Sequence, residues 1–470
     1  MPVGRVYGDL PLEHTVTGSQ SMTTTPQVRE HPVVRATLAN GAEMIILDAR
    51  VTFWWESGTI RGAAAAVRKQ GTAAPVSGSG LSEGEHAGAV TFTRARFQVG
   101  ALDAILGARP LGEKTVPQGQ ADNSTWTWSA STSPATPMTW TGTDHTLKGA
   151  YDAKVNTFDF YNVSIRFAPV LDATTPPMTL FELVRRYVDP VRAIASIATG
   201  TSQPTTYLMA SRTEDPTHMT MPSRAVGNHE SDPEEPRTVK LIPAWQIYGT
   251  GLRQDPYQSH SETVRAHESV LLCIEDGVDL LDLVHAWWKL TDEHHPLIET
   301  YAGMLHAQEE HPRSRYLLLI QSLEGMHGHE TRLNYEQRKR SHQEHREATL
   351  GRIGEQVKKG DRDFIKKFLA REPYRSLETV LKWSFQVHNP DPSIETRLSR
   401  TGVVQQLTAS EQGRSTFDAL RMMRNDLAHG TRGFAAEDLD EVNDILDRVV
   451  RAHALRLLGC PEVVLGRLFD

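Results

Sequence analysis

Two textures divide the chain. From Val33 to about residue 170, apolar positions come in short runs of β-branched and aromatic residues separated by polar, Gly-containing stretches, the pattern of strands. Runs at 33–38 and 43–55 flank Asn40 and Gly41, a two-residue hairpin signal, and runs at 89–97 and 157–167 continue the series. Residues 1–32, rich in Thr, Ser, Gly and Pro, read as a loose segment. Between Leu180 and Ala198 apolar residues fall three and four apart. One helix is therefore expected to interrupt the sheet, kinked at Pro190 and stopped at Gly200. Short strands are expected again at 205–209 and 239–242, among polar loops that contain proline.

After about residue 268 the apolar period becomes helical. Leu280, Val284, Trp287 and Trp288 form one stripe, Leu297, Tyr301, Met304 and Leu305 a second, and Tyr316, Leu319, Ile320, Leu323 and His327 a third. Ile353, Val357, Phe364, Phe368 and Leu369 predict a helical pair jointed at Gly360. Phe417, Leu420, Met423 and Leu427 mark a later helix, and the stripe from Leu439 to Val450 the last long one. The fold class is α+β multidomain. A β-rich N-terminal domain with an inserted helix is expected over 33–268 and an all-α bundle over 269–470.

A length of 470 residues suffices for two such cores, and 39% hydrophobic with 23% charged residues describes a globular chain. The longest apolar runs, such as 316–320, fall far below the roughly 18 residues of a membrane span. No membrane partner is expected. The first residues carry no basic leader followed by an apolar stretch, so a cytoplasmic location is expected. Cys273 and Cys460 lack metal-type spacing and read as packing residues. The formal charge of −8 gives no global sign of a nucleic-acid binder, yet residues 332–382 hold 14 Lys and Arg against 8 Asp and Glu. A solvated helical face and a phosphate-facing patch both fit that excess, with Lys339, Arg340 and Arg421 as candidate RNA contacts.

Common enzyme signatures are missing from the sequence. There is no Walker-type loop, no dinucleotide fingerprint, no zinc-binding His-Glu-x-x-His and no nucleophile elbow. Glu324, His327 and His329 could be drawn as a metal site, but Gly328 is expected to fray that helix. His294, His295, His306 and His311 read as surface or rim histidines. Trp126 and Trp128 fit either buried strand positions or a glycan-stacking platform, burial being commoner at period two.

The stretch from Phe417 to Gly430 stands out. Its stripe faces a core and leaves Arg424 and Asn425 at the edge, with His429 at the helix end and Gly430 as the stop. The negative end of the helix dipole favours a charged imidazole there, and Arg424 offers a planar fork for phosphate oxygens. Such a pair could cleave a phosphodiester without a metal, the guanidinium neutralising phosphate charge while the imidazole moves a proton. Spacing alone does not select it. Arg212 with His218, Arg253 with His260 and Arg340 with His345 are similarly spaced, but Pro216 and Pro256 interrupt the first two and the third lacks an apolar stripe. The structural alternatives are an ion pair of Arg424 with Asp440 or Glu437, and His429 as a helix cap donating to a carbonyl.

The run from Arg424 to His429 resembles the Arg-x4–6-His signature of HEPN domains, and Gln321, Glu324 and His327 resemble a Gln-x-x-Glu-x-x-His helix of the ApeA-like branch. The segment from Phe160 to Pro169 and the helix after it are similar to the β-rich ApeA N-terminal domain. This resemblance implies a metal-independent endoribonuclease of bacterial anti-phage defence that needs no cofactor and carries Arg424 and His429 as catalytic residues. It implies a homodimer formed through the helical domain, bringing two copies of the motif to one cleft. Asn425 would orient the phosphate or the histidine. Glu324 would hold Arg424, or sit in an ordinary surface ion pair. RNA, a transfer RNA loop among the candidates, is the implied substrate, and a phage-derived trigger the implied ligand of the N-terminal domain. A non-catalytic HEPN module that binds RNA or a protein partner is the alternative. Asp426 inside the motif and the long basic stretch after residue 332 depart from a minimal version of the family.

Overall fold

In the computed structural model the described residues are 27–37, 43–54, 57–61, 64–68, 91–115, 129–133, 138–159, 162–211, 217–221, 237–241, 244–249, 251–253, 255–257, 268–306, 311–373, 376–386, 391, 393–410 and 414–470. The expected turn at Asn40 and Gly41, and Trp126 with Trp128, lie outside them. The chain divides into two compact units, one of residues 1–195 with 203–284 and one of residues 196–202 with 285–470.

The first unit is built on an antiparallel sheet. Its early strands are β1 (Gln27–Thr37), β2 (Glu43–Trp54), β3 (Ser57–Arg61), β4 (Ala64–Arg68) and β5 (Thr91–Val99). Then come β6 (Leu111–Thr115), β7 (Ser129–Thr132), β8 (Met138–Thr141), β9 (Thr146–Asp159) and β10 (Asn162–Thr179). The last are β11 (Thr205–Ser211), β12 (Thr217–Met221), β13 (Arg237–Leu241) and β14 (Ala244–Tyr248). Among the described residues the main sheet has ten strands in the order β1-β2-β4-β14-β11-β5-β10-β9-β8, with β3 paired to the second half of β2. The first strand starts at Gln27, ahead of the Val33 where the sequence pattern begins.

Strand β5 lies at the centre, with Phe92, Ala95, Phe97 and Val99 buried. Ala95 faces Ala173 on β10 and Ala210 on β11, so small residues meet across all three central strands. The β5–β10 register shifts between Thr174 and Met178, where Pro176 and Pro177 have no N–H for the ladder. Helix α1 (Leu102–Leu106) packs on β10, and α2 (Leu180–Leu183) packs on β5 and β10.

The expected inserted helix is present, and the effect of Pro190 is specific. After α2 comes a π-helical turn over Val184–Val188, then α3 (Asp189–Thr199). Asp189 donates five residues back to the Val184 carbonyl, so the helix accommodates the proline by widening one turn. Gly200, at φ 70°, stops α3 with its N–H on the Ser196 carbonyl.

The second unit is mostly helical. Its helices begin with the part of α4 (Leu280–Asp292) that follows Val284, then α5 (Pro296–His306), α6 (Pro312–Glu330), α7 (Arg332–Gly354) and α8 (Lys359–Phe368). The chain continues through α9 (Leu377–Gln386), α10 (Ile394–Ser399), α11 (Gly402–Ala409), α12 (Thr416–His429), α13 (Ala436–Leu457) and α14 (Glu462–Gly466). Helix α6 is the hub, packing against α5, α9, α12 and α13 through Tyr316, Leu319, Ile320, Leu323 and Met326, all buried. Both cysteines are buried, as packing residues should be.

Three local expectations are corrected here. Helix α6 does not fray at Gly328 but runs on to Glu330. Packing on three sides outweighs the roughly 1 kcal/mol that a mid-helix glycine costs. Its neighbour Gly325 has a reason to be glycine, since a Cβ there would come within 2.7 Å of Pro296. His295 is not a rim residue: it is buried beneath α6 with its ring edge-on to His329 at 4.6 Å. Phe364 and Phe368 do not form an interior stripe. They are 62% and 65% exposed, and no residue of α7 or α8 is buried.

Candidate functional site

Helix α12 is built as its pattern requires. Ser415 caps its start by accepting from the Asp418 N–H at 3.1 Å. Phe417, Leu420, Met423 and Leu427 are buried and anchor it on the bundle. Gly430, at φ 69°, ends it in the left-handed conformation with its N–H on the Asp426 carbonyl. The Asp426 side chain accepts from the Thr431 hydroxyl at 2.8 Å, so this acid of the motif is engaged at the cap.

Arg424 follows the buried Met423 and is half-buried. Its Nη2 reaches Glu324 Oε2 on α6 at 3.4 Å, and its Nη1 donates to Asn425 Oδ1 at 3.3 Å. The Arg424 and Glu324 side chains are 36% and 31% exposed. A single contact at that length and exposure contributes about 0–1 kcal/mol, whereas a charge-assisted bond to phosphate contributes roughly 1.5–3 kcal/mol. The Glu324 contact is therefore weak enough to leave the guanidinium available to a stronger acceptor. Asp440 and Glu437, the alternative partners, do not take this role. Beneath the pair, the Tyr316 hydroxyl donates to the Leu420 carbonyl at 2.8 Å. Burial pushes the Tyr316 hydroxyl pKa up, the nearby Arg424 charge acting the other way.

His429 is exposed at the last position of α12 and makes no side-chain hydrogen bond or ion pair among the described residues. It lies five residues beyond Arg424, and at about 100° per residue the two leave the helix about 140° apart. One copy of the helix thus does not bring both groups to one point. Gln321, Glu324 and His327 also diverge: Gln321 is exposed, Glu324 meets Arg424, and His327 packs edge-on to Trp383 at 5.0 Å.

Of the basic candidates, Arg421 donates twice to Asp418, at 2.9 and 2.7 Å, and Lys339 is paired with Glu372 at 2.8 Å. Arg340 is exposed. A residue not singled out from the sequence joins the site. Arg313, in the first turn of α6, donates to the Leu427 carbonyl, an acceptor left without a helical donor at the end of α12. This sets a second guanidinium at the negative end of the dipole, on the carbonyl of the residue two before His429. Its partner is 114 positions away, so no local signal could have found it.

Among the described residues no three His, Cys, Asp or Glu side chains are grouped to hold a metal ion, and no helix is long and apolar enough to cross a membrane. No model of a known protein family matches the chain, and comparison with curated proteins and with solved structures gives no match either.

Proposed function

We propose that the chain is a metal-independent endoribonuclease of the HEPN type, with an ApeA-like β-rich domain ahead of the helical one, acting in cytoplasmic defence against phage. The observation that carries this reading is a restrained but accessible guanidinium and an exposed imidazole on one helix, α12, with Glu324 of α6 behind the arginine. The reaction is attack of a ribose 2′-hydroxyl on the adjacent phosphorus, expelling the 5′-oxygen of the next nucleotide. The products are a cyclic phosphodiester and a free 5′-hydroxyl. The His429 imidazole takes the 2′-hydroxyl proton, solvent water protonates the departing oxygen, and Arg424 neutralises the phosphorane.

On this reading the angle of about 140° between Arg424 and His429 is met by a second copy, each copy lending one of the two groups to a shared cleft. Exposed loops such as the transfer RNA anticodon offer the flexible 2′-hydroxyl this attack needs. A phage component acting on the β-rich domain would be the trigger.

That same angle also favours a second reading, in which Arg424 and His429 only bind phosphate. Incubating purified protein with RNA in EDTA separates the two. Cleavage that disappears in both Arg424→Ala and His429→Ala, with folding retained, supports the nuclease. Binding without cleavage supports the module.

A further inference from the structure

Helices α7 and α8 form a hairpin unlike the rest of its unit. It is held, without a core, by a polar seam between α7 and residues 366–372, which run from the last turn of α8 into the segment after it. Tyr335 donates to Glu372 at 3.2 Å and Lys339 pairs with the same carboxylate at 2.8 Å. His342 Nε2 meets the Ala370 carbonyl at 3.1 Å, and Arg346 donates to the Lys366 carbonyl at 3.1 Å. These four fall three and four apart on α7, so one face of the helix is used and the others are left to solvent.

The free faces are cationic. Residues 332–368 carry 11 Lys and Arg against 6 Asp and Glu, in a chain whose net charge is −8. Arg332, Arg338, Arg340, Lys358, Lys359 and Lys366 are exposed, and their side chains make neither a hydrogen bond nor an ion pair among the described residues. Among these charges Phe364 and Phe368 stand one helical turn apart with ring centroids 4.5 Å from each other, and the Lys367 ammonium lies 5.6 Å over the second ring.

We propose that the α7–α8 hairpin is a docking arm for a single-stranded polynucleotide, bases stacking on Phe364 and Phe368 while the free cations hold the phosphates. Aromatic faces set among unpaired cations match the two things such a strand offers, π-faces and a regular anionic backbone. A protein partner fits less well. Two phenylalanines bury at most about 500 Å² together, short of the roughly 800 Å² per side of an ordinary protein interface. Choosing RNA as the strand rests on the ribonuclease reading; the arm itself does not.

The test uses the full chain carrying His429→Ala, so that the probe survives, and the fluorescence anisotropy of a labelled oligouridylate of about twelve nucleotides. Adding Phe364→Ala and Phe368→Ala is expected to weaken binding about ten- to a hundredfold without moving the melting temperature, and Trp at both positions to retain it. Lys358→Gln, Lys359→Gln and Lys366→Gln together should flatten the salt dependence by about 0.7 for each phosphate no longer neutralised. These lysine changes carry the test should the alanine variant fail to fold. Unchanged affinity on loss of the two rings overturns the arm, as does absence of binding by the parent. Conversion of a dimer to monomers with RNA affinity intact overturns it in favour of a second copy. With His429 restored, Phe-dependent binding that never leads to cutting refutes the nuclease and keeps the arm. Cutting with KM unchanged in the Phe variant refutes the arm alone. Equal binding of oligodeoxythymidylate keeps the arm and removes its tie to RNA.

Discussion

Glu324 and Arg424 stand 3.4 Å apart between α6 and α12, a carboxylate meeting a guanidinium 100 residues further along the chain. The two helices are also joined by apolar packing and by the Tyr316 and Arg313 bonds to α12 carbonyls, so removal of this contact should alter aim more than stability. Glu324→Gln is expected to cost no more than about 1 kcal/mol of unfolding free energy. It should lower the kcat of RNA cleavage about tenfold with little change in KM, the signature of a group that acts in the transition state. Arg424→Lys should recover little, since an ammonium lacks the fork. A Glu324→Gln protein that cleaves RNA as fast as the parent would reduce this pair to an ordinary surface contact.

The angle between Arg424 and His429 makes a sharper demand. Arg424→Ala and His429→Ala proteins, each inactive, should regain activity when mixed and allowed to exchange subunits. About a quarter of the parent rate is expected, because random exchange makes half the dimers mixed and each mixed dimer has one intact cleft. Sites complete within one copy give no recovery, and a mixing experiment reading zero would remove the shared cleft.

Gly430 offers a control on α12 itself. At φ 69° an alanine is strained although nothing crowds its Cβ, so Gly430→Ala should destabilise the protein by about 1 kcal/mol. The urea midpoint measures this. The slope of the transition should not change, because the surface exposed on unfolding is the same.

His295 sets a dependence on acidity. Burial, and then the neighbouring His329, lower its pKa below the ordinary 6.5, while Glu330 and Glu293 pull upward and Arg456 adds to the lowering. Between the folded pKa and about 6.5 the unfolded chain binds the extra proton, so stability is present above that window and lost as pH falls through it. Melting temperatures at pH 7.5 and 5.5 should differ less in His295→Phe than in the parent. An equal drop in both would show that other groups set the acid sensitivity.

The parts of the site that depend on neighbours in sequence were legible. The stripe of Phe417, Leu420, Met423 and Leu427, with Gly430 after His429, defines a helix and its stop from short-range pattern alone, and the structure has both. The helix broken near Pro190 was legible for the same reason, although a widened turn rather than a simple kink is how the chain accommodates the ring. What failed depended on partners far away. Phe364 and Phe368 carry the spacing of a core stripe, but spacing does not say whether anything covers it. His295, at the start of a helix that begins with Pro296, has the local look of a rim residue and is buried only because α6 crosses it. Arg313 on the Leu427 carbonyl has no trace in either segment by itself.

The seam along α7 marks a boundary between two kinds of constraint on substitution. With no interior side chains to preserve, this hairpin can exchange one surface residue for another at almost no thermodynamic penalty, whereas α6 and α12 cannot change Leu323 or Met423 without opening a void. Diversification of whatever the arm grips is thereby uncoupled from the integrity of the helices that carry Glu324, Arg424 and His429.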